Sequence, residues 1–177
     1  LKYFLRIYSN IKIYVYTKMP GSFFGKNKEY IGNDEFYTQE EDWKAIKEFM
    51  PLDKVIWSPF YADGKQKEYF KNMGIDIIHE KEDFFLNNKG NIVIDNPPFS
   101  KKRKIIERLK ELNKPFILIM PSEILTYKYI KKFGDDLQII IPKNRMNFLR
   151  PNKSLKKFNY DCIYFCWKMN LHKDIIF

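Results

Sequence analysis

Cysteine, histidine and long apolar runs are what this chain has least of, and each shortage excludes a class of protein. The two cysteines, Cys162 and Cys166, both lie inside the hydrophobic run DCIYFCW. They read as core residues of a strand, with neither a disulfide framework nor zinc-ligand spacing. The expected setting is therefore reducing and intracellular, cytoplasm or nucleus, with no metal. The two histidines, His79 and His172, have no metal-ligand companions in sequence and are assigned no chemistry. No apolar stretch is long enough to span a membrane. The opening LKYFLRIYSNIKIYVYTK is broken by Lys2, Arg6 and Lys12, which spoils it as a signal-peptide core. Neither internal repeats nor a low-complexity linker divides the chain. We expect an N-terminal extension of uncertain role over residues 1–32 and a single domain over 33–177.

Acidic residues are also in deficit: 22 Asp and Glu stand against 32 Lys and Arg, a net charge of +10. That balance favours a polyanionic partner, nucleic acid before membrane. What the chain has in quantity is apolar and aromatic material, 45% and 18% of its 177 residues, enough for one sizeable core.

Strand and helix patterns alternate along it. TQEEDWKAIKEFM opens on Thr38, carries acids in its first turn and repeats Trp43, Ile46, Phe49 and Met50 at helical spacing. KVIWSPF predicts a strand ended by Pro59, KQKEYFKNM a helix stopped by Gly74, and IDIIHE and NIVIDN two more strands. KKRKIIERLKELN is amphipathic, with Ile105, Ile106, Leu109 and Leu112 on one face. PFILIMP predicts a strand, EILTYKYIKKF a helix, and LQIIIP and YDCIYFCW a closing pair of strands without a helix between them. The pattern implies an α/β fold, mostly parallel, with a C-terminal antiparallel hairpin. In such sheets ligands bind beyond the carboxyl ends of the strands. Here those ends are SPFYADG, HEKEDFF, DNPPFS and MPSE.

DNPPFS is the most specific of them. Proline has a fixed φ and pushes the residue before it toward extended geometry, so Asn96, Pro97 and Pro98 form a stiff elbow. Its Asn side chain and the Pro97 carbonyl are two fixed acceptors, suited to a planar –NH2 group. Phe99 can stack on a flat ring, and the basic Lys101, Lys102 and Arg103 follow at once. The alternative is a strand-ending turn with a buried Phe.

With NPPF after NIVIDN, SPFYADG after the first strand, EDFF after the second and NDEFYTQ at the entrance, the chain resembles the class I S-adenosylmethionine-dependent adenine-N6 DNA methyltransferases. Among them it looks most like the small phage and large-DNA-virus type. The resemblance covers about residues 33 to 167 and implies a Rossmann-like methyltransferase sheet. It implies catalytic roles for Asn96, Pro97, Pro98 and Phe99, with Asn96 and the Pro97 carbonyl accepting from the target amino group and Phe99 stacking on the flipped base. It places the cofactor, S-adenosyl-L-methionine, against Tyr37, Thr38, Pro59, Phe60, Ala62, Asp63, Gly64, Glu80, Asp83, Phe84 and Asn96.

Three positions depart from that family. Ser58 stands where an acid is common, Ala62 where Gly is common, and Gln39 where Pro follows the Tyr-Thr pair. Thr38 is equally the N-cap of the following helix. A positive φ at Ala62 would strain it. For contact with nucleic acid, residues 142–160 carry Lys143, Arg145, Arg150, Lys153, Lys156 and Lys157 and no acid. Phe148, Phe158 and Tyr160 are interleaved there for base stacking. The alternative is a solvated, lysine-rich hairpin. Target selection then falls to this segment or to a protein partner. The rival readings are RNA adenosine, including cap-proximal adenosine, the glutamine amide of a protein, and a catalytically inactive nucleic-acid-binding subunit.

Overall fold

The computed structural model describes residues 4–5, 13–14, 36–151, 155–156 and 161–177. Of the expected N-terminal extension, only two short strands, Phe4–Leu5 and Ile13–Tyr14, paired antiparallel, fall within them.

Seven strands form one sheet: β1 (Ile56–Trp57), β2 (Ile77–Ile78), β3 (Ile92–Asp95), β4 (Phe116–Pro121), β5 (Leu137–Ile140), β6 (Cys162–Trp167) and β7 (Ile175–Ile176). Their spatial order is β2-β1-β3-β4-β6-β5-β7. All neighbours run parallel except β6, which is antiparallel to both β4 and β5. Among the described residues, four α-helices accompany them: α1 (Glu40–Lys44), α2 (Gln66–Asn72), α3 (Lys102–Glu111) and α4 (Tyr127–Ile130).

Alternation along the strands builds two cores, one on each face. Ile117 and Ile119 of β4 join Ile56, Ile94 and Tyr164 in a cluster with Trp43, Ile46 and Phe70 from the α1 and α2 segments. Phe116, Leu118 and Met120 join Val93, Phe165 and Trp167 in a second cluster with Ile105, Ile106 and Leu109 of α3. Successive strand side chains point to opposite faces, so a strand that is apolar throughout needs cover on both. α3 supplies it from one side exactly because its apolar stripe recurs at helical spacing. The thiols of Cys162 and Cys166 are free and buried among these side chains.

The expected hairpin is present in β5 and β6, but it does not finish the sheet. β6 inserts between β4 and β5, and β7 pairs parallel with the outer edge of β5. Gln138, buried in β5, explains how so short a strand is held. Its side chain accepts from Leu171 N (2.8 Å) and donates to Leu171 O (2.9 Å), fixing the approach to β7. The expected helix over 123–133 is broken. A 3-10 turn at Ser122–Ile124 ends on Leu125, whose ψ of 53° leaves the helical range, and only Tyr127–Ile130 is α-helical. α1 likewise yields to a 3-10 turn at Lys47–Phe49.

Candidate active site

β1 leads outward to β2 on one side, and the chain then crosses back to β3 on the other side of β1. Ligands in open α/β sheets bind where the winding direction switches in this way. The carboxyl ends of β1 and β3 therefore stand side by side, and Trp57 and Asp95 carry the chain into SPFYADG and NPPF.

Asp95 ties the two segments together. It is 1% exposed. Its Oδ2 accepts from Phe60 N at 2.6 Å and its Oδ1 from Asn96 N at 2.7 Å. The Ser58 hydroxyl and Gln66 amide lie near enough to favour its ionised form. Burial nonetheless dominates these donors and pushes the Asp95 carboxyl up to about 7.

Ser58, fully buried, is explained by that neighbour. An acid in its place would set a second buried carboxylate beside the first, and like charges disfavour that. Ser58 instead meets His79. The His79 Nδ1 lies 2.8 Å from Ser58 O and 2.9 Å from Ser58 Oγ. A protonated Nδ1 serves both oxygens. Burial holds His79 below its ordinary range. Tyr61 stacks on the imidazole, with centroids 5.0 Å apart and planes 17° apart.

Beyond Tyr61 the loop reverses through Ala62 at φ +46° and Gly64 at φ +78°. Gly64 suits the turn by its conformation, since an L-residue is strained at that φ. Ala62 bears the strain expected of an L-residue in the left-handed region.

The entrance segment closes the third side. Tyr37 exchanges both backbone bonds with Leu149, at 2.8 and 3.0 Å, and Gln39 Nε2 donates to Asn147 O at 2.7 Å. The N-cap of α1 is Gln39 rather than Thr38, and no side chain caps it. The Thr38 hydroxyl is buried with no hydrogen-bond partner among the described residues.

Between these walls is a cleft with about 290 Å³ of empty space, part of it open to solvent. The expected residues Tyr37, Thr38, Phe60, Ala62, Asp63 and Asn96 line it together with Phe36. Asn96 is the most informative. Its Nδ2 donates to Phe36 O at 3.2 Å, which sets the amide orientation, and its Oδ1 is buried with no partner among the described residues. A buried acceptor left unpaired costs about 1–3 kcal/mol, so it marks a place built for a donor.

Other expected residues lie around the cleft rather than on it. Pro59 and Pro97 are buried, while Pro98 and Phe99 are half-buried, with Phe99 packed against the core. Glu80, at the end of β2, is exposed and shares Lys89 with Glu82, at 2.6 and 2.7 Å. The Lys89 ammonium holds the Glu80 carboxyl below its usual range. Asp83 accepts from Phe85 N at 2.7 Å in an exposed turn. Phe84 is 4% exposed and packs on Phe60, with ring centroids 5.1 Å apart, so it backs the cleft wall.

Four further residues line the cleft: Tyr61, Gln66, Tyr69 and Asp95. Asp95 had a readable signal, as an acid closing an otherwise apolar strand. Gln66 and Tyr69, three apart on α2, had a weaker one.

The basic residues divide. Lys101, Lys143 and Arg150 are exposed. Lys102 pairs with Glu123 at 2.7 Å, Arg103 with Glu107 at 3.4 Å, and Arg145 with Asp161 at 2.9 Å. The acid that meets Arg145 thus lies one residue past the acid-free stretch. Lys153, Lys157, Phe158 and Tyr160 fall outside the described residues, and of Lys156 only the strand Leu155–Lys156, antiparallel to Phe148–Leu149, is described. Phe148 is 1% exposed in the core cluster of α1 and α2, so the expectation that it stacks on a base is corrected. Its aromatic area is spent anchoring the hairpin.

No group of three or more His, Cys, Asp or Glu that could hold a metal occurs among the described residues, and no helix among them is long and apolar enough to cross a membrane.

No family model matches the chain, and no solved structure matches it. Among curated proteins it is similar to the Type II methyltransferase M.EcoRI of Escherichia coli, 27% identical over 134 residues, which cover 73% of this chain and 36% of that protein. The chain thus spans well under half of that relative's length. With the strand order, this likeness identifies a Rossmann-like methyltransferase fold.

Proposed function

We propose that the chain is an S-adenosylmethionine-dependent methyltransferase that modifies the N6 amino group of adenine in DNA. The observation that carries this reading is the unpaired, buried Oδ1 of Asn96, held at the switch point by a bond from its own amide to Phe36 O. The likeness to a type II methyltransferase supports it.

The lining of the cleft suits the cofactor, with aromatic rings beside a few polar groups. The unpaired Thr38 hydroxyl offers a polar contact, and Tyr37, Phe60, Ala62 and Asp63 would supply the rest. Pro59 and Gly64 shape that loop. Glu80 and Asp83 would reach the ribose and adenine from the β2 side, Glu80 by exchanging Lys89 for hydroxyls, while Phe84 supports Phe60. When bound, S-adenosylmethionine supplies an electrophilic methyl group.

The chain's own residues solve the remaining problem. Adenine's amino lone pair is delocalised into its ring, which makes it a poor nucleophile. Asn96 Oδ1 accepts one amino hydrogen and the Pro97 carbonyl the other, which localises the lone pair and aims it. Both acceptors are fixed in advance, so they stabilise the developing positive charge without reorganising. Pro97 and Pro98 hold the elbow extended, and Phe99 offers a face to the flipped base. Stacking there offsets part of the few kcal/mol that flipping costs. Lys101, Lys143 and Arg150 are exposed cations that would contact phosphates.

Transfer of labelled methyl groups to duplex DNA, single-stranded DNA, RNA and protein acceptors tests the reading. Label should appear as N6-methyladenine in DNA, and Asn96→Ala should lower transfer by roughly 10²–10³-fold, as for the loss of one preorganised polar contact. Label on RNA or on a protein amide would reassign the substrate. Tight DNA binding with no transfer to any acceptor would replace the enzyme by a binding subunit.

A further inference from the structure

Asp95 has a chemistry that the reading above does not use. Its two oxygens are divided between two backbone N–H groups far apart in sequence, Phe60 on the cofactor loop and Asn96 on the elbow. Both bonds are short, at 2.6 and 2.7 Å, as charge-assisted bonds are. Behind them, the polar groups of Ser58 and Gln66 favour the ionised form of the same carboxylate, and Gln66 Nε2 donates to Ile94 O at 3.3 Å. Once ionised, above about pH 7, the carboxylate accepts at both oxygens and donates at neither, so it joins two donors that could never bond each other.

We infer that Asp95 is a positioning residue that couples the cofactor loop to the elbow, so that filling either half of the cleft fixes the geometry of the other half. This rests on the methyltransferase reading. A ligand that orders the loop at Phe60 orders one oxygen of Asp95, and the rigid carboxylate carries the constraint to Asn96 N and to the side chain that grips the target. By linkage the effect is reciprocal: the cofactor tightens target binding by the same factor as target tightens the cofactor. Asparagine at position 95 breaks the device. Whichever way its amide turns, an NH2 group faces either Phe60 N or Asn96 N, and one of the two tethers is lost.

Calorimetry on the full chain at about pH 8, where Asp95 is ionised, tests this with S-adenosylhomocysteine and a short DNA oligonucleotide in which adenine follows each of the four bases. Each ligand is titrated with and without the other, on the parent and on Asp95→Asn. The parent should show positive coupling of about tenfold, and Asp95→Asn should bring the factor close to one while still binding each ligand alone. Full coupling retained in Asp95→Asn overturns the assignment and leaves the methyltransferase reading standing. Failure of the parent to bind S-adenosylhomocysteine overturns both. If Asp95→Asn does not fold, amide hydrogen exchange on the parent decides. Phe60 and Asn96 should open together, and the oligonucleotide alone should slow both. Slowing confined to Asn96 refutes the coupling.

Discussion

Replacing Ala62 by glycine should stabilise this protein, against the usual direction for a residue placed in a loop. Ala62 sits at φ +46°, where its Cβ crowds the following carbonyl. That crowding costs an L-residue about 1–2 kcal/mol, and glycine escapes it. Glycine in turn loses more freedom on folding, which offsets about 0.4–1 kcal/mol. The net gain is on the order of 1 kcal/mol, which for a chain of this length raises Tm by roughly 2–4 °C. Thermal and urea unfolding of Ala62→Gly beside the parent measure it. Asn170→Gly is the internal control. Asn170 has nearly the same φ, +52°, but asparagine tolerates that region, so the change should stay within a few tenths of a kcal/mol. An Ala62→Gly variant no more stable than its parent, or a gain equal to that of Asn170→Gly, would refute the strain argument.

Gly90→Ala should act in the opposite sense. Its φ is +59° and a Cβ would stand 2.6 Å from the Val55 carbonyl, so a loss of roughly 2–4 kcal/mol is expected. A urea midpoint unchanged from the parent would contradict the close approach. Phe148→Ala should cost roughly 3–5 kcal/mol in unfolding while leaving the DNA affinity of the folded protein unchanged, because the ring is core and not a stacking platform. Loss of DNA affinity with stability intact would reverse that correction. Stability should also fall as pH rises. Burial pushes Asp42 up to about 6 and Asp95 up to about 7, so both keep protons in the folded chain after the unfolded chain has lost them. Their contribution is fully present below about pH 4 and is lost as pH rises through 6 and then 7. Asp95→Asn should flatten the upper part of that profile, and an unchanged profile would show that Asp95 is not buried as an acid.

The sequence by itself determined the order of strands and helices, because periodicity and the punctuation of Pro59, Gly74 and the two prolines after Asn96 are local properties of the chain. It also determined the elbow: proline stiffness acts on its immediate neighbours and needs no tertiary support. The free, buried state of Cys162 and Cys166 was legible for the same reason, since an unbroken apolar strand must be covered on both faces.

Only the tertiary structure decided which strand ends meet. The insertion of β6 between β4 and β5 depends on pairing over long separations, and β7 is two residues paired to β5, its approach held at Leu171 by the Gln138 amide. Local pattern carries no information on either. The same holds for charge and exposure. Glu80 looked like a free acid until Lys89 was placed beside it, Arg145 like a free cation until Asp161 was, and Phe148 like a surface ring until the core closed over it. Asp95 shows the difference most plainly. In sequence it is one acid before an asparagine. In the fold it joins a loop near residue 60 to the elbow at residue 96, because its two oxygens accept from both at once.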